Sequence, residues 1–289
     1  MSLLRYLQRH AEPEAGLLDD FPPQRYRQVL CLPAHDENDA FLASLQTAAA
    51  SATGKTLLIL VINRPDNRPP CDNDTRLYSC IAGWPASWRH QHLALHHLPA
   101  LDVLLVDRFS SQPIIASQGV GLARKIAADI ACALWQQGNI LCPAFFSSDA
   151  DVIFPADYFS ATLPDNSSAA CLAFRHQPGE DTAINRATQL YEQSLHAYVN
   201  GLKRAGSTYA WHSIGSCLLI NFDSYIKVRG FPRRAAAEDF YLLNKLQKIR
   251  PVQSLDRPLL LIHARSSQRV PFGTGPAVQK WLQDPATAG

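Results

Sequence analysis

The chain has 289 residues, of which 47% are hydrophobic, and its formal net charge is +2. This length is enough for one large α/β domain or two small ones. The near-neutral charge and the lack of a long run of Lys and Arg exclude the basic stripe that nucleic-acid binding needs. No uncharged apolar stretch is long enough to span a bilayer, so we expect no transmembrane segment.

The seven cysteines are an odd number and include no Cys-x-x-Cys pair. Several lie inside apolar runs, where a free cysteine behaves as a small hydrophobe. This pattern predicts a reducing compartment without a disulfide framework. The first thirty residues carry several charges and no apolar core of signal-peptide length. We therefore expect a cytoplasmic protein, and loose attachment to the periphery of a membrane stays open.

Apolar runs and helical spacing predict an alternation of strands and helices along the chain. The predicted strands are 28–33, 56–62, 101–106, 140–146, 169–174, 216–221 and 259–263. The predicted helices are 3–9, 40–52, 121–137, 187–204 and 238–249. Residues 64–76 are rich in Pro, Asn and Asp and predict a long loop, and an irregular tail is expected after 263. The alternation favours an α/β fold with a mostly parallel central sheet flanked by helices.

The most informative motif is Asp149-Ala150-Asp151, which follows the apolar run 140–146. Ligands of open α/β sheets bind at strand ends. Two carboxylates at such an end can hold Mg²⁺ or Mn²⁺, and the metal can then hold a diphosphate. The motif therefore points to a nucleotide-sugar enzyme. An isolated Asp-x-Asp is also compatible with a solvated acidic turn.

Two further motifs could contact a nucleotide. Pro33-Ala34-His35-Asp36-Glu37-Asn38 follows the first strand, where a polar turn can grip a nucleotide or simply cap a helix. The segment 119–125 opens a helix with Gly119, Gly121, Arg124 and Lys125, and helix amides beside a cation favour an anion. It is neither a Walker P-loop nor a Rossmann fingerprint, and a flexible loop before a basic helix start is an equal alternative.

A second pair of carboxylates lies in the last quarter of the chain. Gly230-Phe231-Pro232 is followed by Glu238 and Asp239 at the start of a predicted helix. One of these carboxylates could deprotonate an acceptor hydroxyl as a general base. The helix dipole alone also favours acidic residues in a first turn.

The motifs occur along the chain in the order 33–38, 119–125, 149–151 and 230–239. This arrangement, over residues 28–275, resembles that of the GT-A glycosyltransferases, most closely their family 2-like group. His35, Asp36 and Lys125 depart from the commonest pattern of that group, as does Asp66 in the turn 63–67. The Gln-x-x-Arg-Trp motif of processive synthases is missing, which favours a non-processive transfer. The resemblance implies an N-terminal arm (1–26) and one GT-A domain (27–289), with a nucleotide-binding half near 27–152 and an acceptor-binding half near 153–275.

The resemblance also implies roles for individual residues. Asp151 would bind a divalent metal, Mn²⁺ or Mg²⁺, with Asp149 in contact with the metal or the ribose and His263 as a third ligand. Asp239, beside Glu238, would be the base if the anomeric centre is inverted and would position the acceptor if it is retained. The remaining expected contacts of the nucleoside diphosphate sugar donor are Pro33, Ala34, His35, Glu37, Asn63, Asp66, Arg124, Lys125 and Arg269.

Two other functions stay open from the sequence. One is a nucleotidyltransferase that makes an activated sugar. Those enzymes usually carry a glycine-rich, arginine-containing loop near the N-terminus, and residues 33–38 do not have that composition. The other is a GT-A-like nucleotide-binding module without activity. The sugar, the base and the hydroxyl acceptor are not specified by these motifs.

Overall fold

The structure is a computed structural model and describes residues 1–264 and 274–283. The α-helices are α1 (Leu3–Arg9), α2 (Phe41–Ser51), α3 (Asp72–Ala82), α4 (Gly119–Gln136), α5 (Thr182–Arg204), α6 (Phe222–Lys227), α7 (Glu238–Gln247) and α8 (Thr274–Gln283). The strands are β1 (Gln28–Ala34), β2 (Thr56–Asn63), β3 (Ala86–His90), β4 (Leu93–His97), β5 (Leu101–Arg108), β6 (Ala144–Ser147), β7 (Val152–Ile153), β8 (Ala169–Gln177), β9 (Leu218–Asn221) and β10 (Val252–His263).

The ten strands form one mixed sheet in the order β3-β4-β5-β2-β1-β6-β9-β8-β10-β7. The α/β class is confirmed, but the prediction of a mostly parallel sheet is wrong, because four pairings are parallel and five are antiparallel. The parallel core is β5-β2-β1-β6. Only residues 91–92 join β3 to β4 and residues 98–100 join β4 to β5, and such short connections allow only antiparallel pairing.

Helices cover both faces of the central sheet. Every residue of β1 and β2 is buried, and alternate residues enter two different cores, with Val29 and Cys31 in one and Leu30 and Leu32 in the other. Helix α4 fills the first core, and every residue from 121 to 134 is buried. This stretch is rich in alanine, so its backbone can approach the sheet closely, and its polar side chains must find partners in the interior.

The N-terminal segment packs against α4 through a buried polar network. The Tyr6 hydroxyl donates to Asp129 Oδ1 at 2.5 Å, and the Lys125 ammonium donates to Asp129 Oδ2 at 2.7 Å. The amide of Glu12 donates to the same carboxylate at 2.8 Å. Since unpaired buried charges are strongly destabilising, these contacts attach the first sixteen residues to the core of the protein.

Three local predictions need correction. The loop expected over 64–76 ends at α3, which begins at Asp72, because the carboxylates of its first turn are stabilised by the helix dipole. The strand expected from 140 begins at Ala144, since Pro143 has no amide to donate. The irregular tail expected after 263 contains α8, whose Val278 is buried. No helix in the described part of the chain is both long and apolar enough to cross a membrane.

Candidate functional site

A cleft of about 970 Å³ opens at the carboxyl ends of the central strands. Asn63 ends β2, Asp149 follows β6, and His263 ends β10, so strand ends supply much of its wall. This is the edge at which open α/β sheets bind their ligands. The cleft brings together these predicted residues: Pro33, His35, Glu37, Asn63, Arg124, Asp149, Asp151, Glu238, Asp239 and His263.

Arg124 joins the two carboxylate motifs at the floor of the cleft. Its guanidinium donates from Nε to Glu238 Oε1 at 2.8 Å and from Nη2 to Asp149 Oδ1 at 2.7 Å. It also donates to Ser147 Oγ at 3.2 Å and to the Ser148 carbonyl at 3.1 Å. Arg124 is only 3% exposed. Its charge is therefore neutralised by protein carboxylates and is not available to an anionic ligand.

The two glycines before Arg124 have a packing role. A Cβ on Gly121 would lie 2.4 Å from the Pro232 carbonyl oxygen, and a Cβ on Gly119 would lie 2.7 Å from Ala235 Cα. The amide of Gly121 donates to the Arg234 carbonyl at 2.9 Å. Glycine is needed here because the loop 232–235 crosses the helix start at close range. The expectation that this helix start holds an anion has no support in this geometry.

The Asp149-Ala150-Asp151 motif lies beside the end of β10. The backbone amide of His263 donates to the Asp151 carbonyl at 3.0 Å, so the histidine is adjacent to the carboxylate pair. Burial raises the pKa of Asp149 to about 6; Arg124 opposes this shift, and the negative charges of Asp151 and Glu238 add to it. Within residues 1–264 and 274–283, no group of three or more His, Cys, Asp or Glu side chains is arranged to hold a metal ion.

Glu238 and Asp239 lie in different environments although they are adjacent. Glu238 is 4% exposed and is held by Arg124, whereas Asp239 is half-buried and faces the cleft. Burial, followed by the charge of Glu238, raises the pKa of Asp239 to about 7. The Phe240 amide donates to Asp239 Oδ1 at 2.7 Å and fixes the carboxylate. Of the predicted pair, Asp239 is the one suited to exchange a proton with a ligand.

Three predicted residues that the structure describes, Ala34, Lys125 and Asp66, do not line the cleft. Ala34 is buried at the end of β1, and Lys125 points its ammonium at Asp129 in the N-terminal network. Asp66 accepts a hydrogen bond from the Ala116 amide at 3.0 Å and so joins two loops. Arg269 lies outside the described residues.

Sequence reasoning missed Asp74, which fixes the loop after β1. Its carboxylate is fully buried and contacts His35 Nδ1 at 3.0 Å and the Asp36 amide at 2.6 Å. This contact sets the orientation of the His35 ring on the cleft wall. An aspartate in the first turn of a helix is common for electrostatic reasons, so the sequence carried no specific signal for this role.

No protein-family model matches the chain, and no curated protein sequence matches it.

Proposed function

We propose that this protein is a metal-dependent glycosyltransferase of the GT-A fold, similar to family 2. It moves a sugar from a nucleoside diphosphate sugar to a hydroxyl acceptor in a non-processive reaction. The observation that carries the proposal is one cleft that gathers Asp149 and Asp151, Glu238 and Asp239, and His263. These residues come from three parts of the chain that are far apart in sequence, and they match the motif order that suggested the family.

The donor chemistry of the cleft fits a hard divalent cation. Mg²⁺ and Mn²⁺ sites on phosphate substrates use one or two protein carboxylates, with the remaining ligands supplied by phosphates and water. A cage of three protein ligands is therefore not required. The motif resemblance assigns the metal to Asp151, whose backbone is bonded to that of His263, while Asp149 is held by Arg124. A bound metal would neutralise charge on the leaving nucleoside diphosphate.

The protein residues divide the remaining work. Asp239 accepts the proton of the acceptor hydroxyl if the transfer inverts the anomeric centre, and a carboxylate whose pKa is about 7 is well matched to that task at neutral pH. If the transfer retains configuration, Asp239 positions the acceptor. Arg124 keeps Asp149 and Glu238 in place, and Asp74 orients His35 on the nucleotide side.

A thermal-shift screen tests the proposal, with UDP, GDP and their sugars each measured with and without Mn²⁺. At a ligand concentration of about 100 Kd, binding adds about 2.7 kcal/mol, which corresponds to a rise in Tm of about 5–10 °C. We expect a metal-dependent shift with one nucleotide. Asp151→Asn should abolish this shift and the transfer reaction, while Asp157→Asn, an exposed aspartate outside the cleft, should keep both.

The screen also separates the alternatives. A metal-dependent shift that survives in Asp151→Asn would refute the metal role of that residue. Binding of a nucleotide without turnover of any donor, over a range of acceptors, would favour an inactive module. Pyrophosphate release from a nucleoside triphosphate and a sugar phosphate would instead identify a nucleotidyltransferase.

A further inference from the structure

Three arginines line the cleft, namely Arg68, Arg124 and Arg234, and the electrostatic situation of Arg234 differs from that of Arg124. It is exposed on the loop before α7. Arg124 is paired with two carboxylates, but no carboxylate in the described part of the chain forms an ion pair with Arg234. Its neighbour Arg233 is different again, because it is paired with Glu12 at 2.8 Å. Arg234 thus brings a positive charge to the cleft that the described carboxylates do not pair.

The position of Arg234 is fixed before any ligand arrives. Its carbonyl accepts a hydrogen bond from the Gly121 amide, and the tight contact with that glycine holds the backbone against α4. The guanidinium carbon lies over the Tyr241 ring, 4.1 Å from its centroid. A cation–π contact orients a guanidinium and leaves its N–H groups able to donate to an oxyanion. A preorganised cation loses less entropy on binding than a flexible one.

The surroundings of Arg234 are positive and partly apolar. Burial, and after it the charges of Arg234 and Arg229, lower the pKa of Lys245. Lys245 and Arg229 are therefore close enough to add to the positive potential around Arg234, although neither lines the cleft. Phe240 and Tyr241 are 46% and 40% exposed there, so two rings also offer apolar contact area to a ligand.

On the proposed function, Arg234 belongs to the acceptor side of the cleft, because its loop leads into helix α7, which carries Asp239. It precedes Asp239 by five residues, and both residues line the same cavity. The donor side, by contrast, is formed by strand ends from the first half of the chain. An anion bound at Arg234 would therefore belong to the molecule whose hydroxyl lies at Asp239.

We propose that Arg234 binds a phosphate ester on the acceptor, which makes the acceptor a phosphorylated compound. This inference rests on the proposed function, in which the cleft binds an acceptor substrate. Phosphate fits better than a carboxylate because it carries close to two negative charges, and more than one positive charge acts on this region. Its oxygens also match the planar fork of a guanidinium. The phosphate can belong to a soluble sugar phosphate or to a lipid headgroup.

Calorimetric titration in the absence of donor tests the site directly. The probes are glucose 6-phosphate against glucose, and phosphatidylcholine vesicles with and without phosphatidic acid. We expect the wild-type protein to prefer the phosphorylated member of at least one pair. Arg234→Gln should weaken that binding about 10- to 100-fold, as expected for a lost hydrogen bond to a charged group. Arg234→Lys should recover part of it.

The matched control is Arg186→Gln, the same substitution at an exposed arginine of α5 outside the cleft, which should leave the preference unchanged. A purely structural role through the Tyr241 ring would lower Tm in Arg234→Gln without changing the preference for phosphate. Preference for glucose 6-phosphate supports a soluble acceptor, and preference for phosphatidic acid supports a lipid-linked one. Equal affinity for both members of each pair, or an unchanged preference in Arg234→Gln, would overturn the proposal.

The outcome is separable from that of the proposed function. The donor screen uses nucleotides and Mn²⁺ and reports on Asp151, whereas these titrations contain neither. A phosphate preference that depends on Arg234, without any nucleotide-dependent shift in Tm, would support the anion site and refute the glycosyltransferase proposal. A nucleotide-dependent shift in Tm without a phosphate preference would support the glycosyltransferase proposal and refute the proposal of a phosphorylated acceptor.

Discussion

Replacement of Asp239 by asparagine should stabilise the protein and, on the proposed function, impair the transfer reaction. The folded protein binds the proton of Asp239 more tightly than the unfolded chain does, because burial and Glu238 raise the pKa of this carboxyl from 3.8 to about 7. Ionisation of Asp239 therefore costs stability as the pH rises through this interval. Asparagine keeps the acceptor oxygen for the Phe240 amide but carries no charge. The variant therefore does not lose stability through ionisation at this position.

The size of the effect follows from the pKa. Each pKa unit corresponds to about 1.36 kcal/mol, so the full rise is equivalent to about 4 kcal/mol above pH 7. Asp239 faces the cleft and is partly exposed, and solvent screening reduces this upper value. We expect a gain of about 1–2 kcal/mol in the free energy of unfolding at pH 8, or about 2–6 °C in Tm. The gain should shrink as the pH falls through 7 and vanish below about 3.8.

The assay is urea denaturation of wild type and Asp239→Asn at pH 8 and pH 5, with a chelator present so that no metal contributes. Asp256→Asn is the control, because Asp256 is exposed outside the cleft and its substitution should change stability by less than about 0.5 kcal/mol. On the proposed function, transfer by Asp239→Asn should fall by about 10²- to 10⁴-fold. A variant that is less stable than wild type at pH 8, or equally stabilised at both pH values, would refute the reasoning.

Two further predictions concern the support of the cleft. Arg124→Met should lose about 3–5 kcal/mol in urea denaturation, because Glu238 and Asp149 are left without their partner, and adding Glu238→Gln should cost less than the sum of the single changes. Additive costs would contradict the pairing. Gly121→Ala should lose about 1–3 kcal/mol because its Cβ would meet a backbone oxygen at 2.4 Å, whereas Gly201→Ala in α5 has open space and should stabilise slightly by the same measurement. A neutral Gly121→Ala would contradict the close approach.

The sequence predicted the elements whose pattern is set by burial on both faces. The apolar run 56–62 became β2 and the run 101–106 became β5, because a strand buried on both sides is apolar at most positions. The exception in β5 is Asp102, which is buried with Tyr26 and Lys55 as its partners. Strand β3 was missed, since it lies at the edge of the sheet and alternates between partly exposed and exposed residues. An apolar run also has no direction, so the sequence did not reveal that β9 is antiparallel to both of its neighbours.

From the sequence, only the site residues that directly follow a predicted strand could be placed at the cleft. Asp149 and Asn63 follow buried runs, and the sheet brings such ends to one edge. The hydrogen-bond partners of Arg124 could not be predicted from the sequence, because they lie 25 and 114 residues away in the chain. One signal was available for Lys125. It lies four residues before Asp129 in an alanine-rich helix, and that spacing indicates a pair on one helix face.

On the proposed function, the cations at the cleft serve different groups. Among the described residues, five carboxylates and three arginines line the cleft, namely Glu37, Asp149, Asp151, Glu238 and Asp239, and Arg68, Arg124 and Arg234. Arg124 is already bonded to Asp149 and Glu238, so a diphosphate brought next to Asp149 and Asp151 would meet acidic groups unless a cation came with it. On the proposed function, Arg124 therefore serves the protein's own carboxylates, and a divalent metal serves the donor. Arg234, which has no carboxylate partner in the described chain, is left for the acceptor.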